Sequence, residues 1–187
     1  MKKLFLPFIF IVFGLQVSGQ SPSNLQVFES MTGDASRFIA QNFFQGDRIP
    51  SVSLFLPGDY KVLNSAFKRN LTDNGVTVAD ENTAATITLK VAAVTYGSPF
   101  TQNFLGDYYT GRTFVISGDM GTSETKFRFE TTDTVKLSDV DFLENKGLPF
   151  TMSQIPGEPF WGSLTSVAIA AGATLLAVIL FFTVRTN

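Results

Sequence analysis

The sequence predicts an α+β head of two layers, two amphipathic helices on a mixed or antiparallel sheet of about five strands, followed by one transmembrane helix. Three observations carry this. Two early stretches repeat apolar residues at helical spacing, and several later ones alternate at strand spacing. The third is Leu164 to Val184, a run without a charged residue. At the helical rise it spans ~31 Å, about the thickness of a bilayer's hydrocarbon core.

Residues 1–19 have the form of a secretory signal peptide. Lys2 and Lys3 supply a basic start, Leu4 to Leu15 a short apolar run, and Val17-Ser18-Gly19 small residues before a cut at Gln20. An uncleaved anchor is the competing reading, but the run is short for a span and holds Pro7 and Gly14. The expected division is a signal peptide 1–19, a head 20–146, a linker 147–163, a span 164–184 and a cytoplasmic tail 185–187. Arg185 beyond the span agrees with positive-inside orientation and leaves the head exported.

Ser23 to Phe44 reads as a helix, capped by Ser23 or Asn24. Its apolar face is Leu25, Phe28, Met31, Ala35, Phe38, Ile39 and Phe43, and Gly33-Asp34 is a point where it can break. Ser51 to Leu56 is a short apolar strand with a central place in the sheet. Asp59 is the expected cap of a second helix, with Val62, Leu63, Ala66, Phe67 and Leu71 as its stripe and Gly75 as its C′ glycine.

Val76 to Val78 and Ala85 to Tyr96 follow as strands. In the second, Ile87, Leu89, Val91 and Ala93 are expected on one face. Arg112 to Asp119 and Ser123 to Thr131 are two more, joined at Met120-Gly121-Thr122. Asp133 to Leu137 reads as a separate last strand, and Ser138 to Asn145 as a short helix with a Ser138…Asp141 capping box. Gly147 to Gly162 holds three prolines and reads as a semi-extended linker.

From Ser51 to Val94 the layout resembles small bacterial envelope-assembly domains. These are of the lipopolysaccharide-assembly, curli-secretion and TolB amino-terminal type. The likeness rests on Leu63, Leu71, Gly75, Val76, Val78, Ala84-Ala85 and the strand Ile87 to Val94. It implies a two-layer α/β arrangement and brings no catalytic motif, and fold likeness does not fix function. The whole chain resembles envelope proteins with one C-terminal span. Unlike the lipoprotein members, it has no cysteine to acylate.

Composition narrows the chemistry. Cys and His are both absent. That removes disulfides, cysteine nucleophiles, Ser-His-Asp triads and His-containing zinc sites. A cysteine-free exported head suits a bacterial periplasm. Lys2, Lys3 and Arg185 flank the apolar segments, leaving 11 of the 14 Lys+Arg against 16 Asp+Glu, a net of −5. That balance gives no case for nucleic acid. Asp80, Glu81, Asp107, Asp119, Asp139 and Asp141 are the carboxylates a hydrolase or a Ca²⁺ site would draw on, but turn and cap chemistry explains each more simply. No catalytic, cofactor-binding or metal-ligating residue is therefore expected.

Tyr96, Phe100, Phe104, Tyr108 and Tyr109 are the expected interface, with core packing as the alternative. Phe160 and Trp161 are expected to anchor the span at the headgroup level, with Arg185 at the other end. Ala168 and Gly172 permit close packing against another span. The expected partners are membrane lipid, through the C-terminal helix, and other envelope proteins. The expected location is the bacterial inner membrane with the head in the periplasm. The expected role is that of a non-enzymatic subunit, scaffold or assembly factor of an envelope complex. A binding module for peptidoglycan, lipid or polysaccharide is the alternative.

Overall fold

The structure, a computed structural model, describes residues 20–43, 51–79, 83, 85–101, 106–121, 126–158 and 160–185. In the last stretch, side chains are described from 167 to 183. Residues 1–19, expected as a signal peptide, lie outside the described residues.

Helix α1 (Asn24–Phe43) runs unbroken through Gly33. Its start is a capping box: Ser23 Oγ accepts the Gln26 N–H at 3.3 Å, and Gln26 Oε1 accepts the Ser23 N–H at 2.8 Å. The glycine costs about 1 kcal/mol of helix propensity. Burial of Met31 and Ala35 on either side of it outweighs that cost. Phe28 and Ile39 are also buried, and Leu25 and Phe38 partly so. The Phe43 side chain lies outside the described residues.

The strands are β1 (Ser51–Phe55), β2 (Thr77–Val78), β3 (Ala85–Tyr96), β4 (Phe100–Thr101), β5 (Tyr108–Met120) and β6 (Lys126–Lys136). They form one mixed sheet. β1 lies between β2 and β3, parallel to both, and β5 runs antiparallel to β3 and β6. β4 extends the β3 side along the start of β5. The α+β prediction with helices on a mixed sheet therefore holds, with six strands where about five were expected.

Several elements differ from expectation for local reasons. The second helix opens as a 3₁₀ turn, Gly58–Leu63, before helix α2 (Asn64–Asp73), and Asp59 makes no cap bond. The tighter winding rotates Val62 outward, where it is 41% exposed, while Leu63 and Phe67 are buried. Gly75 closes α2 as expected, at φ +81°. Its N–H bonds Thr72 O at 2.9 Å and that of Val76 bonds Leu71 O at 2.9 Å, a Schellman motif.

In β3 a bulge reverses the facing. Leu89 pairs with Gly118 and Val91 with Ser117, so Lys90 is an extra residue. Beyond it Ala92 and Val94 are buried, while Val91 is exposed and Ala93 only half-buried. The expected break at Thr132 is absent: β6 is one strand, because Asp133 is held by Arg112 and Thr132 pairs with Thr113. The short helix is a 3₁₀ turn, Leu137–Asp139, then α3 (Val140–Leu143). Ser138 Oγ bonds the neighbouring Asp139 carboxylate, so the capping box with Asp141 does not form.

The core lies between the helices and the sheet. Phe28 stacks edge-on against Phe114 at 5.3 Å and against Phe150 at 5.2 Å, and Phe150 meets Tyr60 at 5.4 Å. Phe150 and Thr151 belong to a 3₁₀ turn, Pro149–Thr151, and both are buried. The start of the segment expected as linker is thus packed into the head. The segment from Met152 to Pro159 is called the tether below.

Helix α4 (Phe160–Arg185) contains the run read from sequence as a span. Every side chain described on it, 167–183, is exposed. Those side chains cover about 25 Å of helix, less than a hydrocarbon core. Among the described residues, no helix is long and apolar enough to cross a membrane.

Candidate functional site at the tether end of the head

β5 alternates, and its inward set is Thr110, Arg112, Phe114, Ile116. Arg112 is thereby carried to the helix-covered face as a fully buried cation. Its guanidinium forks onto Asp133, Nε to Oδ1 at 2.6 Å and Nη2 to Oδ2 at 2.8 Å. Nη1 donates to Asn24 Oδ1 at 2.7 Å, and the guanidinium carbon lies 5.1 Å from the Phe114 ring centre.

Asn24, on the first residue of α1, extends the network. Its Nδ2 donates to the Tyr96 hydroxyl at 2.8 Å and to the Thr151 carbonyl at 2.7 Å. Burial pushes the Tyr96 phenol up to about 12, partly offset by the Asn24 bond, with Glu144 adding to the rise. The Glu144 carboxylate accepts the Ser153 N–H at 3.0 Å. Among the described residues no buried side-chain N or O lacks a partner. The network's donors and acceptors are spent on one another, which suits holding a backbone segment in place.

Next to the network is a cleft of about 530 Å³, between the end of the β5–β6 pair and α3. Tyr109, Thr134, Val135, Lys136, Asp139, Phe142 and Leu143 line it, with Gln20 and Ser21 at its edge. Lys136 Nζ lies 2.7 Å from Asp107 Oδ2, and that bond holds its ammonium above the usual lysine range. Phe142 is 83% exposed, although Val140 and Leu143 beside it are buried.

The five rings predicted as an interface are divided. Phe100, 43% exposed, lies 6.2 Å from Tyr109, ring centre to ring centre. Tyr108 packs on a small cluster of Val135, Leu137, Val140 and Leu143. Tyr96 belongs to the buried network and touches both clusters. Phe104 lies outside the described residues. So do the side chains of Phe160, Trp161 and Arg185. Ala168 and Gly172 are exposed one turn apart on α4, with open space around the Gly172 Cα.

Of the carboxylates a hydrolase would need, Asp119 stands apart, while Asp107, Asp139 and Asp141 lie at the tether end. Asp80 and Glu81 lie outside the described residues. Asp119 pairs with Lys90 and lies at the other end of the β5–β6 pair from Asp107, which pairs with Lys136. Asp141 pairs with Lys146 at 3.2 Å. Among the described residues, no group of carboxylates could hold a metal ion.

Sequence reading missed Asn24 as a core residue, the Arg112–Asp133 pair and Phe142. Signals for two of them were present. Arg112 shares strand parity with Phe114 and Ile116, which places it inside. In Val140-Asp141-Phe142-Leu143 the i, i+3 pair faces inward and leaves Phe142 off that face.

No protein-family model matches the chain, and no curated protein matches it. A solved structure, a minor lipoprotein from Acinetobacter baumannii, is similar over 49% of this chain and 69% of its own. The two are 14% identical with a TM-score of 0.39, too loose a likeness to support a conclusion about either fold or function.

Proposed function

We propose that this protein is a non-enzymatic, membrane-anchored component of a bacterial cell envelope. The head lies in the periplasm, α4 crosses the inner membrane, and the protein serves as a subunit, scaffold or assembly factor of an envelope complex. One observation carries the reading: every side chain described on α4 is exposed, and those side chains are almost all apolar. An exposed surface of that composition is stable only in an apolar surrounding. Lipid supplies it, as does another helix packed at Ala168 and Gly172. By sequence that apolar surface continues over the uncharged run Leu164 to Val184, which at the helical rise is ~31 Å, about a hydrocarbon core.

The assignment against catalysis rests on composition and placement. His and Cys are absent, and Asp107, Asp119 and Asp141 are each paired with a lysine. The test is extraction of vesicles with alkaline carbonate, followed by protease treatment of spheroplasts. The protein should stay with the membrane, and its head should be digested from outside. Release by carbonate, or a head that protease cannot reach, overturns the proposal. Affinity purification from solubilised membranes should then recover a stoichiometric protein complex.

A further inference from the structure

We infer that the exposed rings at the tether end of the head, Phe142 and Phe100, with the half-buried Tyr109 beside Phe100, rest in the headgroup layer of the membrane that holds α4. This deepens the function proposed above and depends on α4 lying in lipid. Three observations point to it. The first is the length of the tether. Among the described residues, the last backbone group bonded to the head is the Ser153 N–H, held by Glu144, two residues from Phe142. Six residues separate Ser153 from Phe160, and the seven Cα-to-Cα steps between the two reach at most ~25 Å. The α3 end of the head therefore cannot stand far from the bilayer.

The second is where the rings lie. Phe142 is 83% exposed and Phe100 43%, and the half-buried Tyr109 ring lies tilted beside Phe100, centre to centre 6.2 Å. All three belong to the end of the sheet that the tether leaves, where Tyr109 pairs with Lys136 and Phe100 with Tyr109. The opposite end, at Lys126, is ~33 Å away along β6. The third is charge. Lys136 and Lys146 are each paired with an aspartate, and Asp139 and Glu144 add negative charge. Such a surface has no attraction for anionic lipid, so the contact is ring partition into a zwitterionic interface.

The chain has no cysteine, so single labels can be placed at will. The full protein is prepared as Asp141→Cys, Lys126→Cys and Leu176→Cys. Each carries an environment-sensitive fluorophore and is reconstituted in phosphatidylcholine vesicles containing headgroup spin-labelled lipid or, for Leu176→Cys, acyl-chain spin-labelled lipid. The label at 141 should be quenched at least about threefold more than the label at 126. Adding Phe142→Ser and Phe100→Ser should abolish the difference, whereas 1 M salt should leave it unchanged. Equal quenching at 141 and 126, with the label at 176 quenched, overturns this inference and leaves the anchored reading intact. A difference that survives loss of the rings, or vanishes in salt, also overturns it. An unquenched label at 176 overturns both.

Discussion

At the far end of the β5–β6 pair, the Phe127 ring lies over Gly118; at the tether end, Arg112 lies between Asp133 and Asn24. The two closures use different physics. The first is a fit of shapes, apolar and without direction. The second is a set of directed bonds around a buried charge. The difference follows from what each end must hold. The far end has only to join two strands. The tether end must fix the Thr151 carbonyl, and an acceptor is fixed by a donor, here the Asn24 amide. Hydrophobic contact alone, through Phe150, would bury the segment without setting its orientation.

Arg112→Ala is the most severe way to break this comparison. It removes a buried cation and leaves the Asn24 oxygen without a donor. The expected cost is about 3–5 kcal/mol, read from urea unfolding of the head. Arg112→Met combined with Asp133→Val should recover much of the loss, because an apolar pair replaces a satisfied ionic one. A cost below about 1 kcal/mol for Arg112→Ala would mean that the charge is a passenger and the ends are alike.

Gly118→Ala tests the other end. An added Cβ would strike the Thr88 carbonyl and lie 2.6 Å from the Phe127 ring. The expected loss is about 1–3 kcal/mol by overpacking, with the lowered melting temperature as the measurement. Phe127→Leu should relieve only part of it, since the clash with the backbone oxygen remains. Full relief would show that the ring alone sets the fit.

The fold was legible where one local rule acted unopposed. Ser23, one of two expected caps, caps α1, Gly75 supplied a left-handed cap, and Ala85 to Tyr96 a strand with the observed ends. Failures came where partners distant in sequence decided the outcome. The Lys90 bulge reverses the facing of Val91 and Ala93 because β5 pairs one residue against two, which β3's own pattern does not encode. Asp133 to Leu137 reads as a strand of its own, but Arg112, 21 residues earlier, binds Asp133 within one continuous β6. Of the candidate site, the Phe100–Tyr109 pair was legible as a concentration of rings. Phe142 was obscured by an apolar stretch that reads equally well as core.

Tyr96→Phe is the mildest change and sharpens the account of the tether end. At neutral pH it deprives one Asn24 N–H of its acceptor while Thr151 still binds the other, so the expected cost is about 1 kcal/mol. The pH dependence is more specific. In the unfolded chain this phenol ionises near its ordinary 10.0, but in the folded head, where burial disfavours the phenolate, it keeps its proton to about 12. Between those values the unfolded state binds fewer protons than the folded state, so stability falls as pH rises. The contribution is full below pH 10 and is lost as pH climbs towards 12. Tyr96 is only half-buried, so solvent screening makes the decline shallow. The two proteins differ only in this hydroxyl, so the difference between them isolates it. The stability gap between the protein and Tyr96→Phe, measured by urea titration at intervals of pH, should be constant up to about 10 and narrow above it. A gap that stays constant into the alkaline range would place the Tyr96 hydroxyl in solvent and detach it from the network that holds the tether.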